Sequence, residues 1–593
     1  MVTRALRARW TPVVVGLALY FLSVAIVLYQ SLRRNEGCLA YAVDDAYIHM
    51  TIARNLARHG VWGVTRFEFS SSSSSPLWTL LLAGLYRLFG ASPLTPLVLN
   101  VAIGAIVLTL VGTLAEGLGA PPWQRFLAVL AAWILGPVVF AVFLGMEHLA
   151  HAAIVLLFVM AVARGATRTD RSLGLSNGAV LLLAAVLTAV RYESVIIVTV
   201  AAAVLVAQRR ATLAVLAVAG AGVPILIMGA VNVAHGWMFL PASVALKGLG
   251  MKAPITGGPA GLWRAFASHF EDLGHLSALI AASVALAAVW AAAGRAGARQ
   301  SVAGPRLRTV CALLFAVTGI IHLSVMFGGN TAMDLRYTCY LSVLGAAVVG
   351  GIPWGPSLSL LGDWLVERAR LPRRALAPVA AAAVAGIGVP VLLQAAPITR
   401  MTLGGTVKAT DSIYRQQYQM GRLASELPSG TAIAVNDIGA VCYYGDIRCL
   451  DLVGLATNEI ARARLRLRGQ GRAAMSPVYA MVARRMHVRL AMVYDTSFDY
   501  VGHPDRSGCP WPPWHAHVPA LLPQTWAPLG KWLTPRNEVC ADATVCFFAT
   551  DPHDQDLRDL FGRMTARLPR DMISRVFTPT MTVGRMDKGV YTP

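Results

Sequence analysis

Long apolar runs separated by short polar turns fill the first two thirds of the chain, and a more polar, mixed pattern fills the last third. A helix crosses a bilayer with about 20 apolar residues. The first such run is Thr11 to Leu28. Others lie at about 94–117, 125–144, 148–164, 175–190, 194–207, 212–234, 276–293, 309–327, 338–352 and 375–396. Leu77 to Phe89 is also apolar, but it is short and carries Arg87. Three arginines precede the first run, and no small-residue cleavage site follows it. It therefore reads as a retained anchor with a cytoplasmic N-terminus.

Counting crossings settles how the short run should be read. If 77–89 crossed fully, four basic loops would face outside: Arg164 with Arg168 and Arg171; Arg209-Arg210; Arg295, Arg299, Arg306 and Arg308; and Arg368 to Arg374. Lysine and arginine stay on the cytoplasmic side. We therefore expect about eleven transmembrane helices, with 77–89 as an interfacial or re-entrant helix. Five polar turns then share the external face: Asp44-Asp45, Gly145-Met-Glu-His148, Arg191-Tyr-Glu193, His235 to Lys247, and Gly328 to Arg336. Ionisable groups gathered at one end of a helical bundle mark a site at the membrane boundary.

The first of these turns organises the rest. Asp44 and Asp45 precede a helical pattern with Ile48, Ile52, Ala53 and Leu56 on one face, Arg54, Arg58 and His59 on another, and Gly60 as its stop. Such a helix can lie in a membrane surface. The stretch ends in the run Ser70 to Ser75, most simply a flexible polar loop, and Pro76-Leu-Trp78.

Beyond about residue 397 no run is long enough to span, and this part holds more than half of the chain's acids. Thr431-Ala-Ile-Ala-Val435 and Arg489 to Tyr494 read as buried strands, Asn458 to Arg468 as an arginine-rich helix, and Pro510 to Pro528 as an irregular loop. The expected architecture is an all-α multi-spanning membrane domain over residues 1–396. An α/β or α+β domain follows over 397–593, on the extracytoplasmic side by parity.

Composition sharpens this. With 56% hydrophobic and only 14% charged residues, the chain is not a soluble globular protein. A net charge of +21 would suit nucleic acid, but much of the excess sits in the loops between apolar runs and serves orientation. No glycine-rich phosphate loop and no zinc-ligand spacing occurs. Of the eight cysteines, Cys311 and Cys339 lie in or beside apolar runs as packing residues. Cys442 with Cys449, and Cys540 with Cys546, are spaced for local bridges in an oxidising compartment. Cys38 and Cys509 are left over, and spacing alone fixes no connectivity.

Taken in order, the external motifs resemble the GT-C class of polyprenyl-phosphate-dependent glycosyltransferases. They are Val43-Asp-Asp-Ala-Tyr47 with Arg54-Asn-Leu56, Ser75-Pro-Leu-Trp78, Gly145-Met-Glu147, Arg191-Tyr-Glu193, Pro241 to Lys247, Gly328-Gly-Asn330 and Arg336-Tyr337. Within that class the layout is most similar to the mycobacterial terminal arabinofuranosyltransferase and its uncharacterised relatives, whose external domain is matched at Asn436-Asp-Ile-Gly439 and Asp451 to Leu455. The chain departs from the family at Tyr192, where proline is common, and at His148, where threonine is.

The resemblance implies a transferase of the inner membrane that takes a sugar from a polyprenyl-phosphate donor and gives it to a glycan, glycolipid or protein acceptor outside. One of Asp44 and Asp45 would take the acceptor's proton, and the other would orient the acceptor or help hold a divalent cation, the one cofactor this reading leaves open. Lys247 and Arg336 would meet the donor phosphate, with Glu147, His148, Arg191, Glu193 and Ser75 around the substrates. Each has a plainer alternative. An aspartate before a helix caps it, a cation at a membrane boundary reaches for headgroups, and Arg191 with Glu193 forms a structural ion pair. Glu147 and His148 could cap the next span, and His49 could be a face residue. A transporter or flippase for a lipid-linked saccharide is the competing class, and an envelope scaffold a third.

Overall fold

The computed structural model describes residues 2–167, 175–246, 258–268, 273–296, 303–325, 332–367, 370–468, 470, 472–494 and 526–576. Its first part is helical: α1 (Val2–Arg34), α2 (Asp45–His59), α3 (Pro76–Phe89), α4 (Leu94–Leu118), α5 (Pro122–Leu135), α6 (Val138–Phe143), α7 (His148–Thr167), α8 (Leu175–Val190), α9 (Val195–Ala207), α10 (Ala211–Ala234), α11 (Gly258–Ser268), α12 (Gly274–Ala296), α13 (Ala303–Val325), α14 (Ala332–Gly351), α15 (Trp354–Glu367) and α16 (Leu376–Arg400).

All eleven apolar segments are helical, and the chain is a multi-pass membrane protein. Among the described residues seven helices are long and apolar enough to cross a bilayer, or eight if α14 and α15, bent by 70° at their junction, form one span. The shortfall from eleven has physical causes. The segment 125–144 is broken into α5 and α6 at Gly136-Pro137, where proline has no N–H for the helical ladder. Helices α8 and α9 have 16 and 13 residues. At 1.5 Å per residue they reach about 24 and 20 Å against a hydrocarbon core of about 30 Å. Helix α3, with 14 residues, packs along α2. Small residues let the long helices close up: a Cβ on Gly351 of α14 would lie 2.8 Å from Ala115 Cα of α4.

From Arg373 one helical stretch runs to Ser425, with widened π-type turns at Met401–Gly405 and Tyr414–Tyr418. It leads into β1 (Ala432–Val435), α17 (Gly439–Tyr444), β2 (Arg448–Asp451), α18 (Asn458–Arg466), α19 (Ser476–Met486), β3 (Val488–Tyr494), β4 (Ala527–Leu533), β5 (Thr544–Ala549), α20 (Gln555–Thr565) and β6 (Ile573–Val576). The strands form one mixed sheet in the order β2-β1-β3-β5-β4-β6. Its first three strands are parallel, with Ile433 beside both Cys449 and Leu490, and the rest pair antiparallel. The expected strands at 431–435 and 489–494 are β1 and β3, and the expected arginine-rich helix is α18. Residues 510–525 of the expected irregular loop lie outside the described residues.

The two faces of the sheet are buried separately. Ala434, Leu450, Ala491 and Phe548 pack with Tyr479 and Val482. Ile433, Val435, Leu490, Met492 and Phe547 pack with Leu557 and Phe561, and this second core also takes in Ile48 and Ile52 of α2. Ile48 and Ile52 of α2 therefore meet the C-terminal sheet rather than lipid, whereas Ala53 and Leu56, expected on the same face, pack with the core of the bundle. Ala46, Tyr47 and Met50 of α2 are buried in that core too. Period alone identifies an apolar face but not what covers it.

No disulfide joins the described cysteines to one another, so the two expected local bridges are not formed. Cys540 and Cys546 belong to different cores, which separates them, and Cys540 Sγ donates to Gln417 Oε1 at 3.2 Å. Cys442 and Cys449 lie in one core, where the neighbouring Cys442 and burial push the Cys449 thiol up.

Candidate functional site

Helix termini from distant parts of the chain meet where α2 begins. The start of α7 brings Glu147 and His148, the turn between α8 and α9 brings Arg191 and Glu193, and the first turns of α14 bring Arg336 and Tyr337. Two guanidinium groups organise the meeting. Arg336 is 4% exposed, and its Nη1 donates to Asp45 Oδ2 at 2.9 Å. Its Nη2 donates to the Tyr337 hydroxyl at 3.0 Å. Arg191 donates from Nη1 to Glu147 Oε1 at 2.6 Å. It grips Glu193 with two parallel bonds of 2.6 and 3.0 Å. A buried cation needs such pairing to offset the loss of its hydration. The Tyr337 ring lies between the two, 4.9 Å from Arg336 Cζ and 5.4 Å from Arg191 Cζ, close enough for cation–π attraction.

A cleft opens beside these groups, lined by Asp45, Ile48, His49, Ser72, Ser74, Met146, His148, Arg191, Arg336 and Tyr337. Asp45 is its accessible carboxylate, with 35% of the side chain exposed. His148 lies with Nδ1 3.1 Å from Arg191 Nη1. Glu147 sits behind the cleft, fully buried, and its Oε2 is 3.8 Å from His49 Nε2. Among the described residues, Arg336 Nε and Glu147 Oε2 are buried without a hydrogen-bond partner.

The serine run is not the flexible loop its composition suggests. Ser70, Ser71, Ser72, Ser73 and Ser75 are buried. Ser72 donates to Leu455 O of the C-terminal part at 2.9 Å, and Ser73 Oγ lies 3.3 Å from His49 Nδ1 and 3.0 Å from Thr79 Oγ1. Ser75 is buried at the start of α3, so Ser72 and Ser74 of this run line the cleft instead.

The two adjacent aspartates part company. Asp44 points to the C-terminal sheet domain, where its carboxylate accepts from Gly439 N at 2.7 Å and Ala440 N at 2.8 Å, capping α17. It precedes α2 without capping it by its side chain. Burial holds the Asp44 carboxyl well above the usual carboxylate range, and the nearby Asp437 charge adds to this, while the two backbone N–H groups pull the other way. Asp437 is itself raised by burial, although it accepts from Gln417 Nε2 at 2.9 Å and from the Tyr494 hydroxyl.

Of the residues picked from the sequence, the structure gathers Asp45, Arg336, Arg191, His148, Glu147 and Glu193 in and around one cleft. Asp44 and Ser75 face away from it, and Lys247, like Gly328-Gly-Asn330, lies outside the described residues. His49, Ser72, Ser74 and Tyr337 line the cleft without having been singled out for it. Tyr337 was visible only as the neighbour of Arg336, and His49 as one residue of a helix face. Among the described residues no three His, Cys, Asp or Glu side chains are grouped as metal ligands. Asp44, a candidate for a divalent cation, commits its carboxylate to backbone N–H groups.

One protein-family profile, described as a domain of unknown function, DUF8728, matches residues 410–548. No curated protein sequence matches the chain. Two solved structures of ArnT from Cupriavidus metallidurans, one bound to undecaprenyl phosphate and one in the apo state, align with it at a TM-score of 0.42. Their sequence identities are 12% and 14%, and each alignment covers 90% of this chain and 98% of that one. Similarity at this level leaves the function of the chain to be argued from its own side chains.

Proposed function

We propose that the chain is a membrane glycosyltransferase that moves a sugar from a polyprenyl-phosphate donor to a glycan, lipid or protein acceptor. The observation that carries this reading is the Asp45–Arg336 pair at a cleft on the rim of a membrane bundle, a partly exposed carboxylate beside a buried guanidinium. Glycosyl transfer needs both. Asp45 takes the proton of the acceptor hydroxyl as that oxygen bonds to the anomeric carbon. The bond from that carbon to the donor phosphate breaks, and the phosphate leaves with the electron pair. Arg336 meets the growing negative charge, its unpartnered Nε–H offering a second bond to a phosphate oxygen. A lipid-anchored donor explains why such a site belongs at the end of membrane helices.

The basic loops support a cytoplasmic N-terminus, and parity then carries the cleft and the C-terminal domain to the extracytoplasmic side. The sequence motifs make a polyprenyl-phosphate arabinofuranose the first donor to try. The test is transfer of labelled sugar from such a donor to an envelope glycan by purified protein in lipid vesicles. Label appearing in the glycan, and lost in Asp45→Asn, is the expected result. Intact donor carried across the bilayer without bond cleavage would instead identify a flippase.

A further inference from the structure

Helix α2 holds α17 at both ends. At the start of α17 the Asp44 carboxylate accepts from the N–H groups of Gly439 and Ala440. Nearly three turns further along α2, Arg54 Nη2 donates to Cys442 O at 3.1 Å, and Nη1 donates to Tyr443 O. An acceptor at the N-terminus of a helix meets its unpaired N–H groups, and a donor at the C-terminus meets its unpaired carbonyls. The two helices therefore lie alongside, held by hydrogen bonds at both ends of α17. Between the two ends, Tyr47 packs its ring 5.7 Å from Tyr443 and 5.9 Å from Tyr444. The fit leaves no slack: a Cβ on Gly439 would lie 2.1 Å from Asp44 O and 2.6 Å from Asp44 Oδ2.

We infer that Asp44 and Arg54 are positioning residues, which lock α17 onto α2 so that the C-terminal domain sets where Asp45 stands against Arg336. The contact is made one residue from Asp45, on the same helical turn. Asp44 holds the start of α17 and Arg54 its end. The consequence for turnover rests on the transferase reading; the lock itself does not.

The experiment has one arm for each. Hydrogen exchange on the full-length protein in detergent reads the lock, at the amides of residues 44–50 and 439–445. Asp44→Ala and Gly439→Ala should speed exchange in both segments together by roughly tenfold or more. Asp44→Asn, which keeps one acceptor oxygen, and Arg54→Lys, which keeps a charge, should fall between these and wild type. Unchanged exchange in 44–50 for Gly439→Ala would overturn the lock. In the transfer assay the same variants should lower kcat by up to about 10²-fold with the donor KM little altered, as expected when a reacting group is displaced without loss of substrate contacts. Faster exchange with wild-type kcat would overturn the positioning role. A wild-type protein that transfers no sugar would sink the transferase reading and leave the exchange result to judge the lock. Should Asp44→Ala fail to fold, the Asp44→Asn and Arg54→Lys pair carries the same decision.

Discussion

Two neighbouring aspartates with the same chemistry do different work, because the helix that follows them lies between two bodies. Asp45 faces the cleft and Asp44 the sheet domain. Asp45→Asn should lower transfer by roughly 10²–10⁴-fold, the range for loss of a general base, and Arg336→Ala by about 10- to 150-fold for a lost charged hydrogen bond. Arg336→Lys should rescue only partly, since Arg336 uses two nitrogens on two partners and an ammonium is a point charge. Arg191 makes a separate claim. Arg191→Met leaves Glu147 and Glu193 buried without their cation, which should cost about 3–5 kcal/mol in a thermal or denaturant unfolding measurement. Adding Glu193→Gln should return part of that loss; a double variant no more stable than the single one would deny the pair a structural role. Residue types and their spacing pointed to these groups, because an arginine or glutamate at the end of an apolar run is conspicuous. They could not tell Asp44 from Asp45, since the two differ only in what the tertiary structure brings to each.

At the scale of elements, α2 is where reading the sequence was least complete. Its apolar period was plain, but the pattern is the same whether lipid or a protein core covers that face. Ile52 is fully buried under the sheet, so Ile52→Ala should cost about 2–5 kcal/mol by opening a cavity there, whereas a lipid-facing isoleucine would tolerate the change. The serine run misled for a similar reason, since short polar side chains favour loops, yet here Ser70, Ser72 and Ser73 find hydrogen-bond partners in the interior. The strands and the arginine-rich helix were legible because alternation and helical period are local. Element β2 carries a pH response. Burial holds the Asp451 carboxyl up at about 6 although it accepts from Val453 N and Ala456 N. The folded state then binds more protons than the unfolded one between the ordinary carboxylate value of 3.8 and about 6. Stability should therefore fall as pH rises through that window, by up to about 1.4 kcal/mol per pH unit. Asp451→Asn should flatten that slope in unfolding curves taken across this range, while losing about 1 kcal/mol at its acid end, where one backbone N–H goes unmatched.

For the whole molecule, the helical membrane part was readable from run lengths, and the mixed sheet from its strands. The way the two bodies grip one helix was not, because it depends on contacts between residues far apart in the chain. Asp44 and Gly439 are separated by 395 positions. At ribosomal speeds of roughly 5–20 residues per second, on the order of 20–80 s pass between the synthesis of one and of the other. During that interval the nascent α2 has no sheet above it, and Ile48 and Ile52 need somewhere to rest. An amphipathic helix finds that place on the bilayer surface. We expect that surface to serve α2 as a waiting station until the last third of the chain leaves the ribosome. A chain cut short at residue 430 should keep α2 there, open to protease from the side of the cleft, and only the finished chain should close over it.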